Sequence, residues 1–170
     1  MHPYHDPLFC KFIVYFNENQ DYFECHEVLE EYWKSIPGYT KDHPLTAFIL
    51  LSTGMYHWRR GNLNGAVRTL QKATGKMLDF SQFDVAYLEE LDYELLLKTS
   101  EKALQRLKEA DNFTPFLIVP TSTRLKKLIE NEAGKMQLLP AESDAVIHKH
   151  MLRDRSDILA EREKKKGRPD

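Results

Sequence analysis

The chain has 170 residues, room for one domain of about 100–150 residues and an appendage. Its 42% hydrophobic and 29% charged residues, with only 7 glycines and 8 prolines, exclude collagen-like, low-complexity and wholly disordered classes. The longest strictly apolar runs are five residues, Phe12–Phe16 and Ala47–Leu51, against about 20 for a spanning helix. The net charge of −2 gives no global case for nucleic acid or an anionic membrane as partner. His2, His5 and Asp6 precede Phe9 with neither the basic start nor the cleavage site of a secretory signal. Cys10 and Cys25 are too few for a disulfide framework and sit in apolar-periodic segments, where a thiol behaves as a small hydrophobe. A cytoplasmic protein is expected.

In chain order, Asp6-Pro7 reads as an N-cap and first helical residue, followed by Leu8, Phe9, Phe12, Ile13 and Phe16. Asp21 and Glu24 form a capping pattern for a second helix. Its stripe is Tyr22, Cys25, Leu29, Trp33 and Ile36, up to Pro37-Gly38. Thr46 to Arg60 is apolar nearly all round, which a helix tolerates only when neighbours cover most of it, so the third helix is expected to be central. Gly61-Asn62 supplies a left-handed stop and a new N-cap for a fourth helix with Ala66, Val67, Leu70, Ala73, Met77 and Leu78 inward. Helices three and four should form a tight hairpin. Asp84 begins a further stretch with Val85, Leu88, Leu91, Leu95, Leu96, Ala103, Leu104 and Leu107, broken near Asp92 or Tyr93.

After Asp111 the character changes. Phe113 to Pro120 is proline-flanked and β-branched, and is expected to cross the bundle as an extended strap. Ser122 to Asn131 and Ala141 to about Glu163 read as helical, with Leu125, Leu128, Ile129, Val146, Ile147, Leu152 and Leu159 as sparse anchors. From His148 to Asp170 there are eight Lys or Arg against five Asp or Glu, ending in Lys164-Lys165-Lys166-Gly167-Arg168. This reads as a solvated helix end, or as a basic docking tail. The expected fold is an all-α helical bundle (residues 1–112) followed by the strap and a charged C-terminal helical extension (113–170).

The segment Glu24-Cys25-His26-Glu27-Val28-Leu29-Glu30-Glu31 is the densest in chemistry. At about 100° per residue, Tyr22, Leu29 and Trp33 fall within about 60° of His26 and Glu30 about 40° to its other side. His26 is thus expected to point at the core with Glu30 at its edge, while Glu24 and Glu31 face away. A carboxylate on an apolar stripe needs a partner. If helices two and three are neighbours, His57 can join His26 and Glu30 as ligands for zinc or a similar divalent metal. Glu27 then stands like the base of an H-E-x-x-H helix, although here the motif is H-E-x-x-E. The same residues can instead form a hydrogen-bonded network that sets helix register without metal. Leu51, Gly54, His57, Gly61, Ala66, Leu70 and Ala73 have the small-and-large spacing of a tetratricopeptide helix pair, with no second copy at a period of about 34 residues. Tyr22, Trp33, Arg60 and Asn62 are candidate pocket or binding residues for a small molecule or peptide.

The sequences Phe16-Asn17, Tyr22-Phe23-Glu24-x-His26-Glu27-Val28-Leu29-Glu30-x-x-Trp33 and His57-x-x-Arg60-Gly61-Asn62-x-x-Gly65-Ala66 together resemble the bacterial and archaeal family catalogued as domain of unknown function 309. The likeness spans roughly residues 8 to 107. It implies a small helical protein and, since some members are labelled predicted metal-dependent hydrolases, a site near His26, Glu27, Glu30 and His57. A non-catalytic binding module with a tetratricopeptide-like groove is the alternative.

Overall fold

The computed structural model describes residues 1–80 and 84–149. Among these are seven α-helices and no strand, so the all-α bundle expected from the sequence is what the chain forms. Helix α1 (Pro7–Val14) starts where Asp6 Oδ1 accepts the Leu8 N–H at 2.8 Å. Its last turn loosens into a π-helical turn, Tyr15–Asn19, closed by Gln20 at φ 48°. Phe9, Phe12 and Phe16 are fully buried. Phe9 stacks on Tyr4 at 4.3 Å between ring centroids, and Phe48 meets Phe9 and Phe12 edge-on at 5.5 and 5.7 Å. An aromatic cluster therefore forms the base of the core, where ring edges meet ring faces.

Helix α2 (Tyr22–Ser35) begins where Asp21 Oδ1 accepts the Glu24 N–H at 3.1 Å. Its buried stripe is Tyr22, Cys25, Leu29 and Tyr32. This corrects the expected stripe at its C-terminal end, where Tyr32 takes the inward place read for Trp33. Tyr32 reaches down to donate to the Pro3 carbonyl at 2.7 Å, whereas the Trp33 indole N–H turns outward to the Thr40 carbonyl at 2.9 Å. Ile36 has already left the helix as its extended C-cap.

Helix α3 (Leu45–Arg59) is flanked by α2 on one side and α4 (Leu63–Leu78) on the other, which explains its near-continuous apolar surface. A Cβ on Gly54 would lie 3.3 Å from both the Leu70 Cβ and the Leu70 backbone nitrogen. Glycine there lets α3 and α4 approach as a tetratricopeptide-like hairpin. At the tip, Gly61 takes φ 85° and Asn62 Oδ1 accepts the Gly65 N–H at 3.2 Å. Leu78, read as inward, is exposed at the end of α4, as are Val85 and, less so, Leu95. A 3-10 turn (Val85–Leu88) and the left-handed Glu90 then lead to α5 (Tyr93–Lys108), whose N-cap Asp92 lies at the expected break.

The strap is extended and crosses the bundle. Phe113 meets Tyr22 and Trp58, Phe116 meets Phe16, and Ile118 is buried in the same core. Asn17 holds it with both amide atoms, Nδ2 donating to the Ile118 carbonyl at 2.8 Å and Oδ1 accepting the Ile118 N–H at 2.9 Å. Helix α6 (Thr123–Ala133), capped by Ser122, packs on α1 through the fully buried Leu125. The next helix, α7 (Asp144–Ile147), starts after Ser143, three residues later than expected, and a turn at His148 separates it from the helical Lys149. The rest of the expected C-terminal helix, including Leu152 and Leu159, and the basic run Lys164 to Arg168 lie outside the described residues.

Candidate functional site

The shift of the buried stripe toward Tyr32 decides where His26 goes. The stripe centres between Tyr22 and Cys25–Tyr32, which leaves His26 roughly 80° from its middle and Glu30 farther round. His26 therefore sits at the solvent rim, not on the core side as the wheel centred on Trp33 implied. Its side chain is 35% exposed, beside Glu27 at 43% and Glu30 at 31%. The ring lies between the two carboxylates, with Nδ1 3.4 Å from Glu27 Oε1 and Nε2 3.5 Å from Glu30 Oε2. One ligand atom from each of the three residues falls within 4.8 Å of the others.

Glu30 has a second partner one turn on, Lys34, which donates to Oε1. That hydrogen bond, with the charges of His26 and Lys34 added and burial opposing, holds the Glu30 carboxyl below the usual range, and Glu30 in turn raises Lys34. Glu30 is thus anionic at neutral pH, with Oε2 left facing the imidazole. Next to His26 and Glu27, between α2 and α3, a pocket of about 180 Å³ is lined by Tyr22, Phe23, His26, Glu27, Thr53 and Tyr56. Three aromatic side chains make its walls, with the imidazole and a carboxylate at one end.

The other residues singled out by sequence take different places. His57 is half-buried on α3 and does not join the group within 4.8 Å; its Nδ1 lies 3.4 Å from Asn62 Nδ2. Asn62 caps α4. The Arg60 guanidinium lies over the Tyr56 ring at 5.1 Å, and Trp33 packs edge-on against Tyr39 at 4.9 Å, in the loop after α2.

Two cations lie near the site, of which Lys149 escaped sequence reasoning. The half-buried Arg59 stacks over Tyr22 at 4.8 Å and donates to the Gln20 carbonyl at 2.6 Å; burial lowers its pKa from the ordinary arginine value. Lys149 lies 2.7 Å from the buried Asp21 Oδ2 and 3.3 Å from Glu24 Oε1. Burial works against its charge, but the two acids outweigh it and raise its pKa. A pair separated by 128 positions leaves no periodic trace in a sequence.

The fold and this arrangement define a class: a small all-α protein with a central helical hairpin and a His/Glu cluster on the neighbouring helix. A family profile described as "Domain of unknown function (DUF309)" matches residues 9–69. An "Uncharacterized protein YpuF" of Bacillus subtilis (strain 168) is 32% identical over 158 residues, 90% of each chain. The chain belongs to this family of domain of unknown function 309. No solved structure matches it significantly. Among the described residues, no helix is long and apolar enough to cross a membrane.

Proposed function

We propose that the protein is a metal-dependent hydrolase of the cytoplasm, with His26, Glu27 and Glu30 holding one divalent transition metal, zinc or similar, at the mouth of the pocket between α2 and α3. The observation that carries this reading is the convergence of the three donors within 4.8 Å beside a pocket walled by aromatic rings. The donor chemistry fits: one imidazole and two carboxylates are ordinary ligands for such ions, and all three side chains are solvent-accessible. Bound there, the ion supplies Lewis acidity and lowers the pKa of a coordinated water.

The protein's own groups do the rest. Lys34 holds Glu30 anionic and fixes its orientation. Tyr22, Phe23 and Tyr56 shield one side of the site from water and offer flat apolar walls to a small substrate, while the Thr53 hydroxyl is a polar group on the same lining. With Glu27 drawn in among the donors, the general base expected from H-E-x-x-E becomes a ligand in this reading. The two buried thiols, Cys10 and Cys25, suit a reducing compartment.

Metal analysis of protein purified without chelator, with hydrolysis of a panel of nitrophenyl esters and phosphodiesters, tests the proposal. Metal retained at this site and lost in both His26→Ala and Glu30→Gln, together with metal-dependent turnover, is the expected result. Wild-type metal content in both variants would remove it. The aromatic walls also favour a second reading, a non-catalytic module receiving a small molecule or peptide; ligand binding that survives His26→Ala but not Tyr56→Ala would select it.

A further inference from the structure

Far from α2, the chain builds a second group of metal-ligating side chains. His2 caps the 3-10 turn Pro3–His5, and because that helix has about three residues per turn, side chains three apart lie on one face. The two imidazoles come within 5.1 Å, centroid to centroid. The turn is held firmly: Tyr4 is fully buried, and Tyr32 donates to the Pro3 carbonyl at 2.7 Å. Opposite stands Glu90, a non-glycine residue at φ 64°. Side-chain exposures are 14% for His2, 19% for His5 and 17% for Glu90.

His2 Nδ1 accepts the Tyr4 N–H at 3.1 Å and lies 3.1 Å from Glu90 Oε2; a ring nitrogen has one in-plane lone pair, so a metal bound at Nδ1 takes the place of the Tyr4 N–H. His5 Nε2 is 2.9 Å from the same oxygen. The remaining nitrogen, His2 Nε2, is buried without a hydrogen-bond partner among the described residues, the nearby Glu89 Oε2 being 3.8 Å off. Ser122 donates to the other carboxylate oxygen, Oε1, and so orients Glu90 as an outer-shell donor does.

We propose that His2, His5 and Glu90 bind one divalent transition metal of the zinc type, as a structural clip independent of the α2 site. With metal–ligand bonds of about 2.0–2.2 Å, neighbouring donors of a tetrahedral ion stand about 3.3–3.5 Å apart. The observed 2.9 and 3.1 Å need to open by a few tenths. The clip joins the N-terminal turn to the junction before α5 and, through Ser122, to the start of α6. Binding the folded state alone, the ion stabilises it by mass action.

The test uses the tag-free full chain, stripped of metal and titrated with zinc chloride by calorimetry and with cobalt chloride by visible absorption. The His26→Ala/Glu30→Gln protein is expected to bind one zinc with a rise in melting temperature, and adding His5→Ala to it to weaken binding about tenfold or more. Glu90→Gln should act alike; if it fails to fold, His5→Ala decides, since its ring lies outside the core. No zinc binding by the His26→Ala/Glu30→Gln protein, or binding there that ignores His5→Ala, overturns the clip. Either result leaves the α2 site standing. Failure of the α2 site shows instead as metal content indifferent to His26→Ala and Glu30→Gln.

Discussion

Asn17 shows how much one side chain can organise. Its amide satisfies both the carbonyl and the N–H of Ile118, 101 positions away, and so fixes the height at which the strap crosses α1. Asn17→Ala leaves two main-chain groups without their partner, and chemical denaturation should show a loss of about 1–3 kcal/mol. Asn17→Asp should cost at least as much, because it swaps the donor facing the Ile118 carbonyl for a carboxylate oxygen. Ser100 is the opposite case: its hydroxyl is buried with no hydrogen-bond partner among the described residues. Ser100→Ala removes that desolvated group, so the variant's denaturation midpoint should equal or exceed the parent's; a clear fall would mean that the hydroxyl has a partner in solution.

The α3–α4 hairpin rests on two glycines that work in different ways. A Cβ on Gly54 meets the backbone of α4 at Leu70, and a helix cannot move aside without repacking. Gly54→Ala should therefore cost about 1–3 kcal/mol through overpacking. At Gly65 a Cβ would meet Asn62 Nδ2 at 2.6 Å, which is the capping side chain itself. Gly65→Ala should displace the cap and lose about 1 kcal/mol of capping energy, set against a gain of about 0.8–1 kcal/mol in helix propensity. In an Asn62→Ala background the cap is already absent, so the same substitution should be stabilising. A double-mutant cycle by thermal denaturation reads that change; additive effects would break the link between Gly61-Asn62-x-x-Gly65 and the turn geometry.

Taken together, the buried acids of the core set the alkaline limit of stability. Burial pushes the Cys10 thiol from 9.0 to about 11 and the Tyr93 phenol from 10.0 to about 12, and raises Tyr4, Tyr22 and Cys25 as well. These groups keep their protons in the folded state at pH values where the unfolded chain has released them. Their stabilising contribution is whole below about pH 9 and is lost as pH rises through the folded values. Melting temperature under reducing conditions should fall between pH 9 and 11, less steeply in Cys10→Ala; a flat profile would contradict the burial of these groups. For the same reason neither thiol should react with an alkylating reagent at neutral pH before global unfolding.

What could be read directly from the chain is what is encoded within a few residues. Asp6, Asp21, Asn62, Asp84, Asp92 and Ser122 cap the helices they precede, because a cap is a bond to an amide two or three positions on. The hairpin, the break at Asp92 and the extended strap follow from glycine, proline and apolar spacing in the same local way. The choice between Tyr32 and Trp33 does not, since either aromatic continues the stripe from Leu29 and only the Pro3 carbonyl beneath α2 selects one. That selection turned His26 outward and gathered Glu27, in place of His57, with Glu30. The Lys149–Asp21 pair and the meeting of His2, His5 and Glu90 depend on chain segments 85 to 128 positions apart. Contacts of that kind exist only once the core has closed, for they are made by packing and not by periodicity.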